Sequence, residues 1–416
     1  MRIAIVGCGV AGSFLLNRIP PEHQVEAFEM REKDKWWAVC AWGTSAPFIS
    51  DLVAQAGLNF EDYILFRGKS MIVDPGNGKT FNIKLNGLVT FDKTRLFGDM
   101  KKGKNIHWGA HPKDISELKG FDMVIDATGF HRSMMPKLEH DAAIPCFEVE
   151  VEGKFPWDDF YIKPYPGLSG YFWYFPLGEG RGHIGAGDFK SQYRGEIEAM
   201  VKKYDWKVVR RIGRPVRILA PAYMGPFYTE PKCLSCGNTI HNKKFLSNAN
   251  KMKSVQTAGA MMSSSSGGQV ATTTFAERGG SSSGGAAQPS ERPNPLNGHG
   301  WCDCSSPRPD GPLVVGVGES IGTVYPLLGE GIIPSMQCVN MFVEHMDDME
   351  AYSEAVLKHF DIYAKVYRFI KAKMDGNFSV LRQFPEMASM YWHMKTNERR
   401  YGLETHLRDI LKVVNV

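Results

Sequence analysis

The chain lacks a long apolar run: no stretch reaches the roughly eighteen residues that a membrane-crossing helix needs. It also lacks a charge excess. Its 49 Lys and Arg stand against 45 Asp and Glu, a formal net charge of +4. A balance so near neutrality excludes the electrostatic footprint of nucleic-acid binding, while tolerating an anionic surface or substrate. Internal repeats are absent. The first residues run directly into a strand pattern, so no secretory leader is expected. A soluble, cytoplasmic protein is expected, with room for peripheral contact with a membrane. Cysteine is not scarce: Cys8, Cys40, Cys146, Cys233, Cys236, Cys302, Cys304 and Cys338 are present. In a cytosolic chain they give no reason to expect disulfides. At 416 residues the chain can bury a large core and fold as two interleaved domains plus a tail.

What is present begins at the N-terminus. Residues 2–6 form a short apolar run, read as a buried parallel strand. Gly7-Cys8-Gly9-Val10-Ala11-Gly12 follows, then a helix over 10–19 stopped by Pro20-Pro21, then a strand over 25–30 that carries Glu29 near its end. In this β-α-β unit Gly7 permits the tight turn, Gly9 lets backbone approach a pyrophosphate, and Gly12 allows close helix–strand packing. Glu29 stands where a ribose hydroxyl would need an acceptor. Arg31 is placed to lie over an adenine or to neutralise a phosphate. Ala110, after a strand over 105–109, is a backbone contact to adenine on position alone. The plainer reading is a glycine-rich turn without a ligand.

A second glycine-rich turn lies near the other end. A strand over 313–317 leads into Gly318-Glu319, and Gly329-Glu330-Gly331-Ile332 precedes Pro334, a residue suited to the first turn of a helix. The N–H groups of Gly331 and Ile332 are placed to face an electron-rich ring edge. Two such turns, both bearing an acid, point to FAD held by the two ends of the chain. A loop that only turns the chain is the competing reading.

Between them, residues 121–126 read as a buried strand closing on Asp126-Ala127-Thr128-Gly129. Residues 44–90 read as mixed polar and aromatic strand material, and 91–100 as a helix. From about 141 to 225 the texture is β, with strands over 147–151, 161–163, 171–176, 181–187 and 216–219. Residues 227–310 have the composition of a linker, with Ser-, Gly- and Pro-rich stretches and no periodic apolar face. In the C-terminal part Val356, Phe360, Tyr363, Val366 and Ile370 recur at helical spacing. The fold class is α/β: a Rossmann-type FAD-binding domain (1–45, 91–140 and 311–345) interleaved with a β-sheet-rich substrate domain (46–90 and 141–226). A Cys-containing insert (227–310) and a helical C-terminus (346–416) complete it.

These segments, in order, resemble the geranylgeranyl reductase family of flavoproteins, above all the archaeal digeranylgeranylglycerophospholipid reductases, within the p-hydroxybenzoate hydroxylase-like fold group. Cys40-Ala41-Trp42-Gly43 resembles the family's Cys-Gly-x-Gly loop. Asp92-Lys93-x-Arg95 resembles the helix whose arginine approaches FAD. Asp126-Ala127-Thr128-Gly129 matches the shared mid-chain motif. Tyr171-Phe172-Trp173-Tyr174-Phe175-Pro176 matches a Tyr-x-Trp-x-Phe-Pro pattern that lines the family's lipid cavity, and the spacing from Gly316 to Ile332 fits throughout. The resemblance covers about 1–225 and 311–345, and the C-terminal helices more loosely. It implies FAD contacts from Ala11, Glu29, Cys40, Ala41, Gly43, Arg95, Glu319, Gly331 and Ile332, with Gly129, Gly318 and Gly329 in the same turns. Three departures stand out. Glu319 replaces an aspartate, Ala41 replaces a glycine, and 227–310 has no counterpart.

The family implies reduction of isoprenoid carbon–carbon double bonds by reduced FAD. Cys40 would then touch the flavin edge or the substrate; otherwise it is a small buried hydrophobe. Alternation on a strand puts Tyr171, Trp173 and Phe175 on one face. With Tyr165 and Pro176 they line an isoprenoid tunnel, or else form domain core. No proton donor is identified beyond water or Cys40. Lys371 or Arg399 would meet a lipid phosphate. No second dinucleotide fold is present, so NAD(P)H would bind transiently, or a small redox protein would reduce the flavin. A flavin monooxygenase or halogenase is the alternative, because Tyr171-x-Trp173-x-Phe175-Pro176 also resembles the halogenase Trp-x-Trp-x-Ile-Pro signature. A lipid-binding or scaffold protein is a third reading. Cys233, Cys236, Cys302 and Cys304 are the candidate zinc ligands, although the second pair is spaced too tightly for an ordinary knuckle.

Overall fold

The computed structural model describes residues 1–138, 141–190, 193–221 and 312–414. The insert and its four candidate zinc ligands, Cys233, Cys236, Cys302 and Cys304, lie outside the described residues. In chain order the elements begin β1 (Arg2–Val6), α1 (Val10–Leu15), β2 (Gln24–Glu29), β3 (Gly43–Ser45), α2 (Ala46–Ala54), β4 (Ile64–Arg67), β5 (Ser70–Val73) and β6 (Phe81–Lys84). Next come β7 (Leu88–Phe91), α3 (Lys93–Met100), β8 (Ile106–Trp108), β9 (Met123–Asp126), β10 (Ala143–Glu152), β11 (Phe160–Pro164), β12 (Gly170–Gly178) and β13 (Arg181–Asp188). Then follow α4 (Tyr193–Lys203), β14 (Lys207–Arg217) and β15 (Leu313–Gly316). Six helices close the chain: α5 (Ile332–Glu344), α6 (Met349–His359), α7 (Asp361–Met374), α8 (Val380–Thr396), α9 (Glu398–Tyr401) and α10 (Leu407–Val414).

The first sheet has five strands in the order β15-β9-β1-β2-β8, and all its pairings are parallel. Strands β1, β9 and β15 carry apolar runs because this part of the parallel sheet is covered on both faces, whereas β2 alternates polar and apolar residues. Ile3, Ala4, Ile5, Val124, Ile125, Val314 and Val315 are all fully buried. The carboxyl ends of β1, β2, β9 and β15 lie along one edge, so Gly7, Glu29, Asp126 and Gly316 are brought to the same end of the sheet. That edge is where open α/β sheets bind ligands.

The second sheet has seven strands in the order β14-β10-β13-β12-β11-β5-β6, antiparallel except where β11 meets β5. One face packs on α4 through Phe172, Tyr174, Val149, Ile184 and Trp206. Directly opposed residues of neighbouring strands share a face, so the other face carries rows across β12, β13, β10 and β14. These are Tyr171/Gly187/Cys146/Arg214, Trp173/Gly185/Glu148/Ile212 and Phe175/His183/Glu150/Arg210. The third sheet, β3-β7-β4, is small.

Two expectations are corrected. The 44–90 segment is not all strand: α2 starts with Pro47 in its first turn and buries Ile49, Leu52 and Val53. The apolar repeat from Val356 to Ile370 spans two helices, because Phe360 (φ −103°, ψ 15°) leaves the helical region between α6 and α7. All five repeat residues are nonetheless buried.

Candidate functional site

The glycines of the first turn have separable roles. Gly7 sits at φ 95°, and a Cβ there would lie 2.7 Å from the Ala127 carbonyl oxygen; one on Gly12 would lie 1.9 Å from the Gly7 carbonyl oxygen. Both are required by packing. A Cβ on Gly9 would meet nothing within 4 Å, so Gly9 leaves open space where a ligand backbone approach is expected. The Glu29 carboxylate accepts from Cys8 N at 3.0 Å and Arg31 N at 3.1 Å. Ala110 N donates to the Glu29 carbonyl at 3.0 Å, which brings Ala110 beside the acid. Arg31 is turned elsewhere: its guanidinium donates to Trp37 O at 3.0 Å and lies over the Trp37 ring.

Next to this turn is a residue that the sequence reading missed. Lys101, just past the end of α3, is 6% exposed. Its Nζ is buried without a hydrogen-bond partner and lies over the Trp36 ring. Burial pulls its pKa down to about 7, against the opposing influence of Cys8 and Glu29. A buried ammonium without a hydrogen-bonded partner is costly. An anionic pyrophosphate would complete it. Open space at Gly9, a tethered Glu29 and an orphaned Lys101 together fit a dinucleotide.

The late turn reaches the same place. Gly318 has φ 69°, and its Cβ would lie 2.9 Å from that of Ala11. Glu319, expected to face the ligand, instead pairs with Arg214 at 2.8 Å and accepts from Arg217 N at 3.0 Å. Its extra methylene, relative to aspartate, carries the carboxylate across to β14. Gly129 makes room for that pair, since a Cβ there would lie 2.9 Å from Arg214 Nη2 and 3.1 Å from Glu319 Oε2. Arg217 locks β14 in place through Asp141 and the carbonyls of Gly129, Phe130 and Glu319.

The Gly329–Ile332 turn is held internally. Glu330 accepts from Ile333 N at 2.9 Å and also engages the Ile332 N–H, so the group expected to face a ring edge is turned toward this carboxylate. A Cβ on Gly331 would lie 3.0 Å from the Val324 side chain, and one on Gly329 would lie 3.4 Å from the Tyr171 hydroxyl. Burial raises the Glu330 pKa, and buried Arg400 stands 3.6 Å away. Arg400 belongs to α9, far along the chain, and no local pattern ties it to this turn.

The Cys40 loop is strained. Cys40 (φ 128°) and Trp42 (φ 62°) lie in the region that favours glycine, whereas Ala41, where the resembling family has glycine, does not. Such conformations persist only when the surroundings over-determine them. Here Lys93 Nζ donates to Val39 O at 2.9 Å and to Cys40 Sγ at 3.0 Å. Thr94 Oγ1 accepts from Ala38 N at 3.1 Å, and the Trp42 indole donates to Ala38 O at 3.1 Å. Gly43 fits because a Cβ there would lie 2.3 Å from the Phe175 ring. Arg95 does not join this loop. It is exposed, donates to Asp62 O at 2.9 Å and lies over Tyr63. Lys93 and Thr94, the two residues before it, face the loop in its place.

Across from the loop stands the aromatic face. Tyr171, Trp173 and Phe175 share it, as alternation requires. The Tyr171 hydroxyl donates to Leu328 O at 2.5 Å, which joins the sheet to the late turn. Pro176 is buried, and its carbonyl accepts from Thr90 Oγ1 at 2.5 Å. Tyr165 is on the opposite side. It packs in the α4 core and donates to Glu196 at 2.8 Å, because it continues the alternation of Tyr161 and Lys163 along β11, which face α4 opposite Tyr174 and Phe172. It lines a separate cavity of about 210 Å³ with Ser169, Asp188 and Lys190.

The face also holds polar residues not anticipated as site residues. Glu148 and Glu150 alternate along β10 and therefore point the same way, toward His183 and Arg210. Their alternation with Phe147, Val149 and Val151 was the available signal. With Trp37, Ala38, Trp42 and Ile212 they line a cavity of about 10 Å³. Among the described residues, no cluster of three or more His, Cys, Asp or Glu has the arrangement of a metal site. Cys8, Cys40, Cys146 and Cys338 are free thiols.

No protein-family model matches the sequence, and no curated protein matches it. Solved structures do match in three dimensions. A geranylgeranyl bacteriochlorophyll reductase-like protein from Thermoplasma acidophilum superposes with a TM-score of 0.57 at 11% identity, covering 99% of this chain and 95% of that one. A flavoprotein/dehydrogenase from Cytophaga hutchinsonii gives 0.55 at 10% identity, covering 96% and 93%. A flavin-dependent brominase gives 0.54 at 11% identity, covering 100% and 94%. The chain has the α/β fold shared by these flavoproteins.

Proposed function

We propose that the protein is an FAD-dependent oxidoreductase that reduces carbon–carbon double bonds of a geranylgeranyl lipid. The observation that carries this reading is the closure of Cys40–Gly43, Leu328–Gly331 and the Tyr171/Trp173/Phe175 face around one another, beside a turn fitted to a dinucleotide. When bound, FAD would supply the two-electron chemistry. The chain's own groups would do the rest. Glu29, Gly9 and Lys101 would hold the nucleotide. Lys93 would keep the strained Cys40 loop in position. The aromatic face would order apolar isoprene units and exclude water. The likeness to a protein described as geranylgeranyl bacteriochlorophyll reductase-like agrees with this substrate class.

An isoprenoid lipid must arrive from an apolar phase. No helix of the described residues is long and apolar enough to cross a membrane. Along α8, however, Leu381 (90% exposed), Phe384 (63%) and Trp392 (66%) present apolar groups outward. Arg382 and Lys395 lie on the same helix. We assign this stripe to peripheral contact with an anionic bilayer. The electron donor is NAD(P)H bound transiently or a small redox protein. A monooxygenase or halogenase is the second reading, favoured by the similar likeness to a brominase. The test is anaerobic: reduce the bound flavin with dithionite and add a geranylgeranylated lipid. Flavin reoxidation with a gain of two mass units per reduced bond supports the reductase. Reoxidation only by oxygen with an aromatic substrate overturns it.

A further inference from the structure

The mechanism above leaves the second hydrogen of the reduced bond without a source. The sheet face opposite the Cys40 loop holds buried polar atoms that nothing in the fold explains. Glu148 Oε2, His183 Nδ1 and the Trp173 indole N–H are buried and make no hydrogen bond of good geometry, although the indole N–H faces the Glu148 carboxyl and His183 lies near the Ala41 backbone. Glu148 is 7% exposed, Glu150 8% and His183 3%. His183 sits between the two acids, with Nδ1 4.0 Å from Glu148 Oε1 and Nε2 4.0 Å from Glu150 Oε2. Three buried polar residues left short of partners cost a fold several kcal/mol, and such costs concentrate where a site needs them.

We propose that the Glu148 carboxyl is the proton donor of this site, with His183 and Glu150 as the relay that restores its proton. The inference rests on the reductase reading. In the step, the substrate π bond breaks. One carbon receives a hydride equivalent from the reduced flavin, which is oxidised by two electrons. The other carbon receives the proton as the Glu148 O–H bond breaks. Glu148 is left as a carboxylate and regains a proton from solvent by way of Glu150 and His183. The row geometry favours this placement: Glu148 shares its row with Gly185 and with Trp173, whose indole ring occupies the space left by the missing Gly185 side chain, so the carboxyl lies against the aromatic face.

Protonation agrees with the geometry. Burial pushes the Glu148 pKa up to about 8 and holds that of His183 down to about 3. The charged groups facing Glu148 are Lys93 from α3, Glu150 on its own strand, and Arg210 from β14. Arg181 from β13 stands 3.9 Å from Glu150. Lys93 and Arg210 favour ionisation, Glu150 opposes it, and desolvation outweighs the balance. Glu148 is therefore a neutral acid at pH 7 beside a neutral imidazole, the state a proton donor requires.

The test uses the purified full chain and the isosteric Glu148→Gln variant. Infrared spectra across pH 5–10 read the carboxyl directly, without turnover. The expected result is a protonated-carboxyl band in the wild type that disappears near pH 8 and is missing in the variant. A wild type with no such band at pH 6 overturns the proposal. In parallel, wild-type stability is expected to fall as pH rises from about 4.5 through 8, because the folded state holds a proton the unfolded state releases. Glu148→Gln removes that fall; an unchanged profile counts against the assignment. In single turnover with flavin-reduced protein and a geranylgeranylated lipid, the variant should bind flavin normally, slow at least a hundredfold and alter the solvent deuterium isotope effect. A variant as fast as wild type overturns the role of Glu148. A wild type inert toward every lipid overturns the reductase reading, and with it the donor role, even where the carboxyl band titrates as expected.

Discussion

Ala11 leaves no room for a side chain at Gly318, although the two lie in turns far apart in the chain: a Cβ on Gly318 would stand 2.9 Å from that of Ala11. The two glycine-rich turns therefore form one surface, and each glycine in them carries a distinct burden.

Substitution should separate those burdens. Gly12→Ala forces a contact of 1.9 Å with the Gly7 carbonyl, and Gly318→Ala combines φ 69° with the Ala11 clash. Both should lose stability by about 2–4 kcal/mol, seen in denaturant melts. Gly9→Val meets no protein atom within 4 Å of its Cβ and should melt like wild type while losing flavin absorbance. A Gly9→Val protein that retains flavin would sink the assignment of that space to the cofactor.

Lys101→Met should act in opposite directions on the two forms. Without ligand it removes a buried, unpartnered ammonium and stabilises the fold. With flavin it removes a charged contact and should weaken affinity about tenfold to a hundredfold. The pH signature follows from its pKa of about 7 against 10.5 unfolded. Across that window the unfolded chain holds the extra proton, so wild-type apo stability rises with pH. Thermal melts of Lys101→Met should show no such rise, and equilibrium titration with FAD measures the affinity loss.

Cys40 can be tested by the strain it bears. Cys40→Gly relieves φ 128° and should be more stable than Cys40→Ala by about 1–2 kcal/mol. Both lose the sulfur contact to Lys93. Equal turnover in the two variants and the wild type would show that the thiol is dispensable and that the loop conformation matters alone.

The α8 stripe predicts membrane contact. Leu381→Glu with Phe384→Glu should leave the melting temperature within about 2 °C, since exposed substitutions change stability little. Cosedimentation with anionic liposomes should fall severalfold. Undiminished binding would place the contact elsewhere.

Much of the nucleotide half was legible along the chain because its signals are local. An apolar run, three spaced glycines and Glu29 lie within one β-α-β unit, and glycine spacing directly reflects backbone that side chains would obstruct. Alternation likewise separated Tyr171, Trp173 and Phe175 from Phe172 and Tyr174. Local pattern failed where a choice among neighbours depends on rotation about a helix. Asp92-Lys93-x-Arg95 drew attention to Arg95, yet Lys93 and Thr94 face the Cys40 loop. Tyr165 shows the opposite case: its parity with Tyr161 and Lys163 on β11 places it on the α4 face, so the signal was present and pointed away from the aromatic face.

The sequence by itself determined the fold class, the glycine turns and the two-faced aromatic strand, since these follow from periodicity and backbone sterics among near neighbours. Only the tertiary structure decided which charges meet. Glu319 pairs with Arg214, Glu330 lies beside Arg400, Lys101 is left unpartnered near Glu29, and Glu148 and Glu150 flank His183. These relations join strands and helices far apart in the chain, and burial, which sets their protonation, exists only once the layers have packed.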